Sequence, residues 1–385
     1  MSRPKFNRRR FKIAVFHNLR GGGAKRALIE ITKRLSKKNV VDVYSLDIGT
    51  KKEFNFVNKI EIFNFNISRK FLFDQEKIIF RLPKVHKKIA KRIDYRKYDI
   101  VYVNHDIFTK SPYILRFLRT NSVYICHEAP REFYEDASLF STKLKYRIVN
   151  LLRLPIKYID RDNVGHADLV LTNSLYSQKT LEKIYKREIK RLTLGVDGNF
   201  FKWQKKKREN FFLNVSALAK FKGHEFIIKS LALLPEEERF PYYVVANGGR
   251  DEHFIRSLAK KKKVKLIIKR GLGDDELVDL YNKARALLVG AYNEPFGLVA
   301  LEAMACGCPI VGVAEGGLSE AVSKELQGFL VARDKKNFAR AISKALKTKF
   351  NERKIRDYVI RKWPWEKTVK QLEIRFRKLC KKKLL

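Results

Sequence analysis

Acidic residues are scarce in this chain. Its 385 residues carry 41 Asp and Glu against 84 Lys and Arg, a formal net charge of +43. Solubility does not require so large an imbalance, and it creates long-range attraction for polyanions or anionic lipid. Cysteine is also rare: Cys126, Cys306, Cys308 and Cys380 have neither metal-finger spacing nor the density of a disulfide scaffold. The "CGC" at 306–308 reads as small residues in a tight turn. No apolar run approaches the roughly 18 residues of a membrane span. The opening "MSRPKFNRRRF" lacks the apolar stretch of a signal peptide. Together these absences predict a cytoplasmic protein, with the inner face of the cell membrane as its peripheral surface.

The lysines recur in almost every segment, which is compatible with a compositional habit. Runs such as "KWQKKKRE" (202–209), "KKKVK" (261–265) and "RKLCKKKLL" (377–385) also suit an anionic membrane surface. No zinc finger or RNA-binding aromatic motif points to a specific nucleic-acid partner.

The length and the 45% apolar content suit two substantial cores. "FKIAVFH" (11–17), "VDVYSLD" (41–47), "YDIVYVN" (98–104), "SVYICHE" (122–128) and "ADLVLTN" (167–173) read as buried strands of a parallel sheet. Between the first two, Ala27, Leu28, Ile31 and Leu35 recur at helical spacing. After the charged stretch ending near residue 210 the pattern restarts with "FFLNVSA" (211–217), "YYVVANGG" (242–249), "VKLIIKR" (264–270), "ARALLVGAY" (284–292) and "PIVGVAEGG" (309–317). The expected fold is α/β, with two Rossmann-like, doubly wound domains facing each other across a cleft. The expected boundaries are 1–200 for an acceptor-side domain, 201–355 for a donor-binding domain, and 356–385 for a helical segment packing back toward the first. Within the last segment, "WPWEKTVKQLEIRFRKLC" (363–380) reads as a helix opened by Pro364.

Ligands of such folds bind beyond the carboxyl ends of the strands, and the loops there hold the chemistry. In "NLRGGGAKRAL" (18–28), Gly21, Gly22 and Gly23 leave backbone amides open at a helix start, suited to phosphate or sugar oxygen. The GxGxxG and Walker spacings are both absent. In "SALAKFKGHE" (216–225), Lys220 and Lys222 occupy a turn before a helix starting near Gly223, where a cation can neutralise a diphosphate. The stretch "NEPFGLVALEAMACG" (293–307) reads as a turn carrying Glu294 and a short helix carrying Glu302. Two carboxylates at a cleft edge can accept strong hydrogen bonds from a hydroxyl-rich ligand. Otherwise they are an exposed turn charge and the solvated side of a helix.

From Glu294 through Glu302 to Gly307, with Gly316, Gly317 and Glu320, that stretch resembles the donor-site signature of the retaining glycosyltransferases of family 4, which have the GT-B fold. "GGGAKR" (21–26), "HADLVLTNS" (166–174), "LGVD" (194–197) and "PWEKT" (364–368) resemble further family segments, in order along almost the whole chain. The resemblance implies transfer of a hexose, mannose or glucose, from a GDP- or UDP-linked sugar to a glycan or lipid-linked glycan, as in polysaccharide or lipopolysaccharide synthesis. It places Glu302 on the ribose hydroxyls and Glu294 beside the donor sugar. The amides around Phe296, Gly297 and Leu298 lie on sugar and phosphate, Lys222 on the diphosphate, and Gly22 and Gly23 close over that group. His127, in "ICHEAP", matches a histidine near the reacting sugar. The implied catalytic set is His127, Lys222 and Glu294.

One position departs from the pattern. Ala217 stands where many members have arginine, leaving Lys220 as the substitute cation. No metal or other cofactor is expected, and "GDDE" (273–276) reads as a helix start capped by Asp274. Phe133 and Tyr134, beside Arg131, are candidates for meeting a lipid carrier. The competing functions are a sugar phosphorylase or synthase on the same scaffold, and a non-catalytic polyanion-binding protein.

Overall fold

The computed structural model describes residues 10–65, 71–140, 151–322 and 328–382. Two parallel sheets account for the strand-like runs. The first has the order β3-β2-β1-β4-β5-β6-β7: β1 Lys12–Asn18, β2 Val40–Ser45, β3 Lys59–Ile62, β4 Ile100–Asp106, β5 Ser122–Ile125, β6 Leu169–Thr172 and β7 Lys190–Arg191. The second has the order β10-β9-β8-β11-β12-β13: β8 Glu209–Val215, β9 Tyr242–Val245, β10 Leu266–Lys269, β11 Ala284–Val289, β12 Ile310–Val313 and β13 Gly328–Val331. Helices flank each sheet, giving two Rossmann-like domains across a cleft, the GT-B arrangement.

The central strands are buried on both faces, so they read as near-continuous apolar runs. The helix Gly22–Ser36 buries Ala27, Leu28, Ile31 and Leu35, the side marked by the helical spacing. Strand order reverses between β1 and β4 in the first sheet and between β8 and β11 in the second. Those two reversals open the crevices where α/β folds take ligands.

Three strands escape the sequence pattern because each lies at or near a sheet margin. "KIEI" alternates polar residues, "KR" spans only two residues, and Gly328–Val331 is short and starts with glycine. The last helix begins at Trp365, directly after Pro364, and runs to Lys382. It lies along the first helix, with the Phe376 ring 6.1 Å from Phe11 and 6.4 Å from Tyr102. Thr368 fixes it by donating to the Thr193 carbonyl at 2.7 Å.

The second sheet closes tightly around one glycine. Gly223 has φ +74°, and a Cβ there would stand 1.8 Å from the Gly290 carbonyl oxygen. Gly223→Ala therefore combines a left-handed backbone with displacement of the strand end after β11. We expect a loss of about 3 kcal/mol and a thermal midpoint lower by about 6–12 °C. Scanning calorimetry checks this, and an unchanged midpoint would contradict the packing described.

Candidate functional site

The reversal between β8 and β11 assembles the second domain's site. Lys222 sits in the short 3-10 turn Lys220–Lys222, and its Nζ donates to Glu294 at 2.9 Å. Glu294 belongs to the turn that leads into the helix Leu298–Ala305. A cavity of about 50 Å³ beside this pair is lined by Asn214, Ser216, Lys222, Glu294, Gly297 and Ala300. Two glycines let the turn lie where it does: a Cβ on Gly316 would meet the Glu294 carbonyl oxygen at 2.4 Å, and one on Gly317 would meet that of Pro295 at 2.2 Å. The Gly317 amide donates to the Glu294 carbonyl at 2.7 Å.

The glycine loop of the first domain reaches this helix. A Cβ on Gly23 would lie 3.5 Å from Leu298, whereas one on Gly22 would point into open space. Gly22, Gly23 and Leu298 are thus brought together across the cleft. Phe296 is buried with its ring edge-on to Trp363, so its side chain supports the turn. Lys220 is half-buried and its backbone amide donates to Asp251 at 2.8 Å. Ala217 is exposed, and its carbonyl oxygen lies 3.0 Å from His224 Nε2.

Glu302 does not face open space. It is 3% exposed; its carboxylate accepts from the Tyr281 hydroxyl at 3.0 Å and is paired with the guanidinium of Arg26. Burial pushes this carboxyl upward, while Arg26 pulls it down. Arg26 comes from the first helix of the other domain, 276 residues away in sequence. Any ribose at Glu302 therefore has to share or displace that guanidinium.

Other bridges clamp the turn at 293–297. Ser174 and Ser177 hydroxyls donate to the Pro295 carbonyl at 2.6 and 3.1 Å. The amides of Leu175 and Tyr176, at the start of the helix Leu175–Tyr185, donate to the Glu320 carboxylate at 2.9 and 2.8 Å. Glu320 thus joins the domains at a helix N-terminus, where negative charge is favoured. Arg131 donates to the Tyr292 carbonyl at 2.7 Å and pairs with Glu135 at 2.6 Å.

That placement corrects two expectations. Arg131 is buried and bridges the domains, so it is not part of an exposed patch; Phe133 and Tyr134 are partly buried, with Arg153 and Lys157 over their rings. Asp274 does not cap its helix. The N-cap is Gly273, so Asp274 is already the first helical residue, and the Gly273 amide donates to the Glu276 carboxylate at 2.7 Å, the half of a capping box that a glutamate at the third helical position supplies.

On the first domain's edge, His127 is 7% exposed and its backbone amide donates to His105 Nε2 at 3.2 Å. The His127 Nε2 finds no hydrogen-bond partner. Burial lowers its pKa to about 4, so at neutral pH it is an uncharged imidazole. Beside it, burial alone would raise Glu128, but Lys110 at 2.8 Å outweighs that and holds it at about 2. Among the described residues no three His, Cys, Asp or Glu side chains form a metal-ligating group.

Arg26, Glu320 and the bridging role of Arg131 are functional candidates that the linear reading missed. Only the position of Arg26 within the glycine-loop segment and of Glu320 within the signature hinted at them.

Comparison with known proteins agrees with this fold. Residues 21–199 match the model of Glycosyltransferase Family 4, and residues 196–363 that of Glycosyl transferases group 1. The chain is 24% identical over 254 residues to alpha-1,3/1,6-mannosyltransferase ALG2 of Mus musculus, covering 59% of each protein. It is 41% identical over 107 residues to D-inositol 3-phosphate glycosyltransferase of Salinispora tropica, covering 26% of this chain and 21% of that one. The matches thus span less than two thirds of these relatives' own lengths. Among solved structures, Anabaena HepE in complex with UDP and glucose superposes with a TM-score of 0.73 at 18% identity, covering 95% of this chain and 99% of that one. Sucrose-phosphate synthase from Thermosynechococcus elongatus gives 0.76 at 19% identity, covering 96% and 99%.

Proposed function

We propose that this chain, a GT-B-fold glycosyltransferase homologous to the group 1 and family 4 enzymes, moves a hexose, mannose or glucose, from a GDP- or UDP-linked donor to a glycan or lipid-linked glycan, with retention at the anomeric carbon. The observation that carries this reading is the Lys222–Glu294 pair at 2.9 Å, set in the crevice where the second sheet reverses and faced by the glycine loop through Leu298.

In this reading the bond between the anomeric carbon and the diphosphate oxygen breaks, and its electron pair leaves with the nucleotide. The acceptor hydroxyl forms the new bond on the same face and gives its proton to the departing phosphate. Developing negative charge on that phosphate is the main electrostatic demand, met by the Lys222 ammonium and the amides at Gly22 and Gly23. Lys220 supplies the second cation, although an ammonium lacks the two-pronged geometry of arginine. Glu294 is held beside the sugar by Lys222 and accepts from its hydroxyls. His127, uncharged, orients the sugar. Glu302 takes the ribose hydroxyls with Arg26 drawn aside. The clamp on the 293–297 turn aligns the two halves and excludes water.

Calorimetric titration with a panel of GDP- and UDP-sugars tests the reading at about 300 mM salt, which screens diffuse attraction to so basic a protein, with chelator present. The expected result is selection of one nucleotide and at least ~10-fold weaker binding by Glu302→Ala, the scale of a lost charged hydrogen bond. Absence of any selective binding overturns the reading. Equal affinity in the variant removes Glu302 from the ribose.

A further inference from the structure

A second, larger cavity collects positive charge on the far side of the second domain. It measures about 710 Å³ and is lined by Lys206, Lys207, Arg208, Lys283 and Arg285, with Glu209 among them. Of the described residues, no aliphatic or aromatic one lines it. Glu209 opens β8 and pairs with Ala284, which opens β11, so the cavity lies at the amino edge of the second sheet. Glu294 follows the carboxyl end of β11, and the six residues of that strand separate the two edges by roughly 17–20 Å.

Three of the five cations have carboxylate partners. Lys206 and Lys283 share Asp279, and Lys283 also lies 3.5 Å from Glu209. Arg208 pairs with Glu352 at 2.7 Å and donates to the Tyr281 carbonyl at 2.7 Å. Lys207 and Arg285 have no carboxylate partner among the described residues, and the Arg285 Nε is buried without an acceptor. Five cations against Glu209, Asp279 and Glu352 leave two positive charges unanswered around one cavity.

We infer that this cavity is an anion site separate from the donor crevice, and that it takes a phosphate monoester through Arg285 and Lys207. The inference goes beyond the glycosyl-transfer reading and does not rest on it.

A phosphate monoester carries about −1.5 to −2 at neutral pH, which answers both spare charges, whereas a phosphodiester or a carboxylate brings only one. Its oxygens accept paired bonds from a planar guanidinium and a point contact from an ammonium, the two donors that Arg285 and Lys207 supply. The protein itself leaves the Arg285 guanidinium incompletely paired, a state that a bound acceptor relieves. The volume exceeds that of a phosphate alone, and the polar lining suits a hydroxylated body such as a sugar or glycerol and disfavours an acyl chain. Two sources offer this chemistry: a soluble sugar or polyol phosphate, and the headgroup of a lipid that ends in a phosphate monoester.

Calorimetry on the full chain tests the site at about 150 mM salt, where long-range attraction is screened. The probes are glycerol 3-phosphate and glucose 6-phosphate, compared with glucose and with dimethyl phosphate, a diester. The monoesters should bind saturably and at least ~10-fold more tightly than the diester. Arg285→Gln should weaken them by at least ~10-fold and Lys207→Gln by at least ~3-fold. Lys207 is exposed, so its variant still decides should Arg285→Gln misfold. A double variant, Lys261→Gln with Lys262→Gln, removes two exposed charges elsewhere, and Lys222→Ala alters the donor crevice; both should keep the affinity within ~2-fold. Flotation with phosphatidylcholine vesicles containing phosphatidic acid separates the sources. Retention that depends on Arg285 and Lys207 identifies the lipid headgroup, and saturable binding of the soluble esters without retention identifies the free phosphate. Binding to neither esters nor vesicles overturns the inference, as does equal affinity for the diester. A matching loss in the Lys261/Lys262 variant would reduce the effect to diffuse charge, and a loss confined to Lys222→Ala would put the phosphate in the donor crevice; either result also overturns it.

Discussion

Acidification from pH 6.5 to 5 is expected to remove about 4–6 kcal/mol of folding stability, a large part of what a typical protein has. Burial lowers His17 and His86 to about 3 and His127 and His224 to about 4, and holds His105 well below its ordinary 6.5. Below pH 6.5 the unfolded chain protonates these five imidazoles while the folded chain does not, so stability falls as pH drops. Asp106 and Asp160 act in the opposite direction: burial raises both from 3.8 to about 6, so near pH 5 the folded state holds two protons that the unfolded state lacks. Five against two leaves a net uptake of three protons on unfolding, and the slope has the sign of the histidines.

Urea unfolding at pH 7.5, 6.5, 5.5 and 5.0 measures that slope. His86 provides the internal check, because both its ring nitrogens are buried without a hydrogen bond and its Nε2 is 3.8 Å from Asp106. His86→Leu removes one of the five protonatable groups, so its stability should fall less steeply with acid, with a crossover in which the variant is the more stable protein at pH 5. A midpoint that does not move between pH 7.5 and 5 would rule out this account of the buried histidines.

The same burial explains what a linear reading can and cannot reach. Runs such as "IVYV" and "FFLNV" announce strands because a central parallel strand is apolar on both faces, and the helical side Ala27–Leu28–Ile31–Leu35 is announced for the same reason. Lys59–Ile62 and Lys190–Arg191 lie at the margins of their sheet, where water on one side permits charged residues and erases the signal. The Asp274 cap fails because the helix starts one residue earlier than expected, with Gly273 as its N-cap and Asp274 as its first helical residue.

Site residues within one turn, such as Glu294 to Leu298, are legible because their order in sequence is their order in space. Arg26 with Glu302, Ser174 with Pro295 and Glu320 with Leu175 are not, because each pair is made by the docking of the two domains. Docking also changes the meaning of a legible residue. Glu302 reads as a carboxylate waiting for hydroxyls, and the fold gives it a guanidinium first.

Replacing the Lys222 ammonium separates the chemical step from simple binding. Lys222→Ala is expected to lower kcat by about 10²–10³, the scale of one preorganised group aimed at developing transition-state charge. The donor dissociation constant should rise much less, because the ground-state diphosphate is already charged and well solvated, whereas in the proposed reaction the bond-breaking step adds charge at the oxygen this lysine would face. Removal also leaves Glu294 without its partner at 2.9 Å, so in the proposed site a bare carboxylate would stand beside the diphosphate and oppose the departing charge. Glu294→Gln in the Lys222→Ala background should therefore recover part of the lost rate, although neither change restores a cation. Lys222→Arg keeps the charge and should retain more activity than the alanine variant. Steady-state rates with calorimetric donor affinities for the four proteins decide the matter: equal losses in kcat and binding would make Lys222 a simple anchor, and no recovery in the double variant would exclude repulsion by Glu294. Lys220→Ala completes the argument, since a loss comparable to that of Lys222→Ala would identify Lys220 as the cation that answers for Ala217.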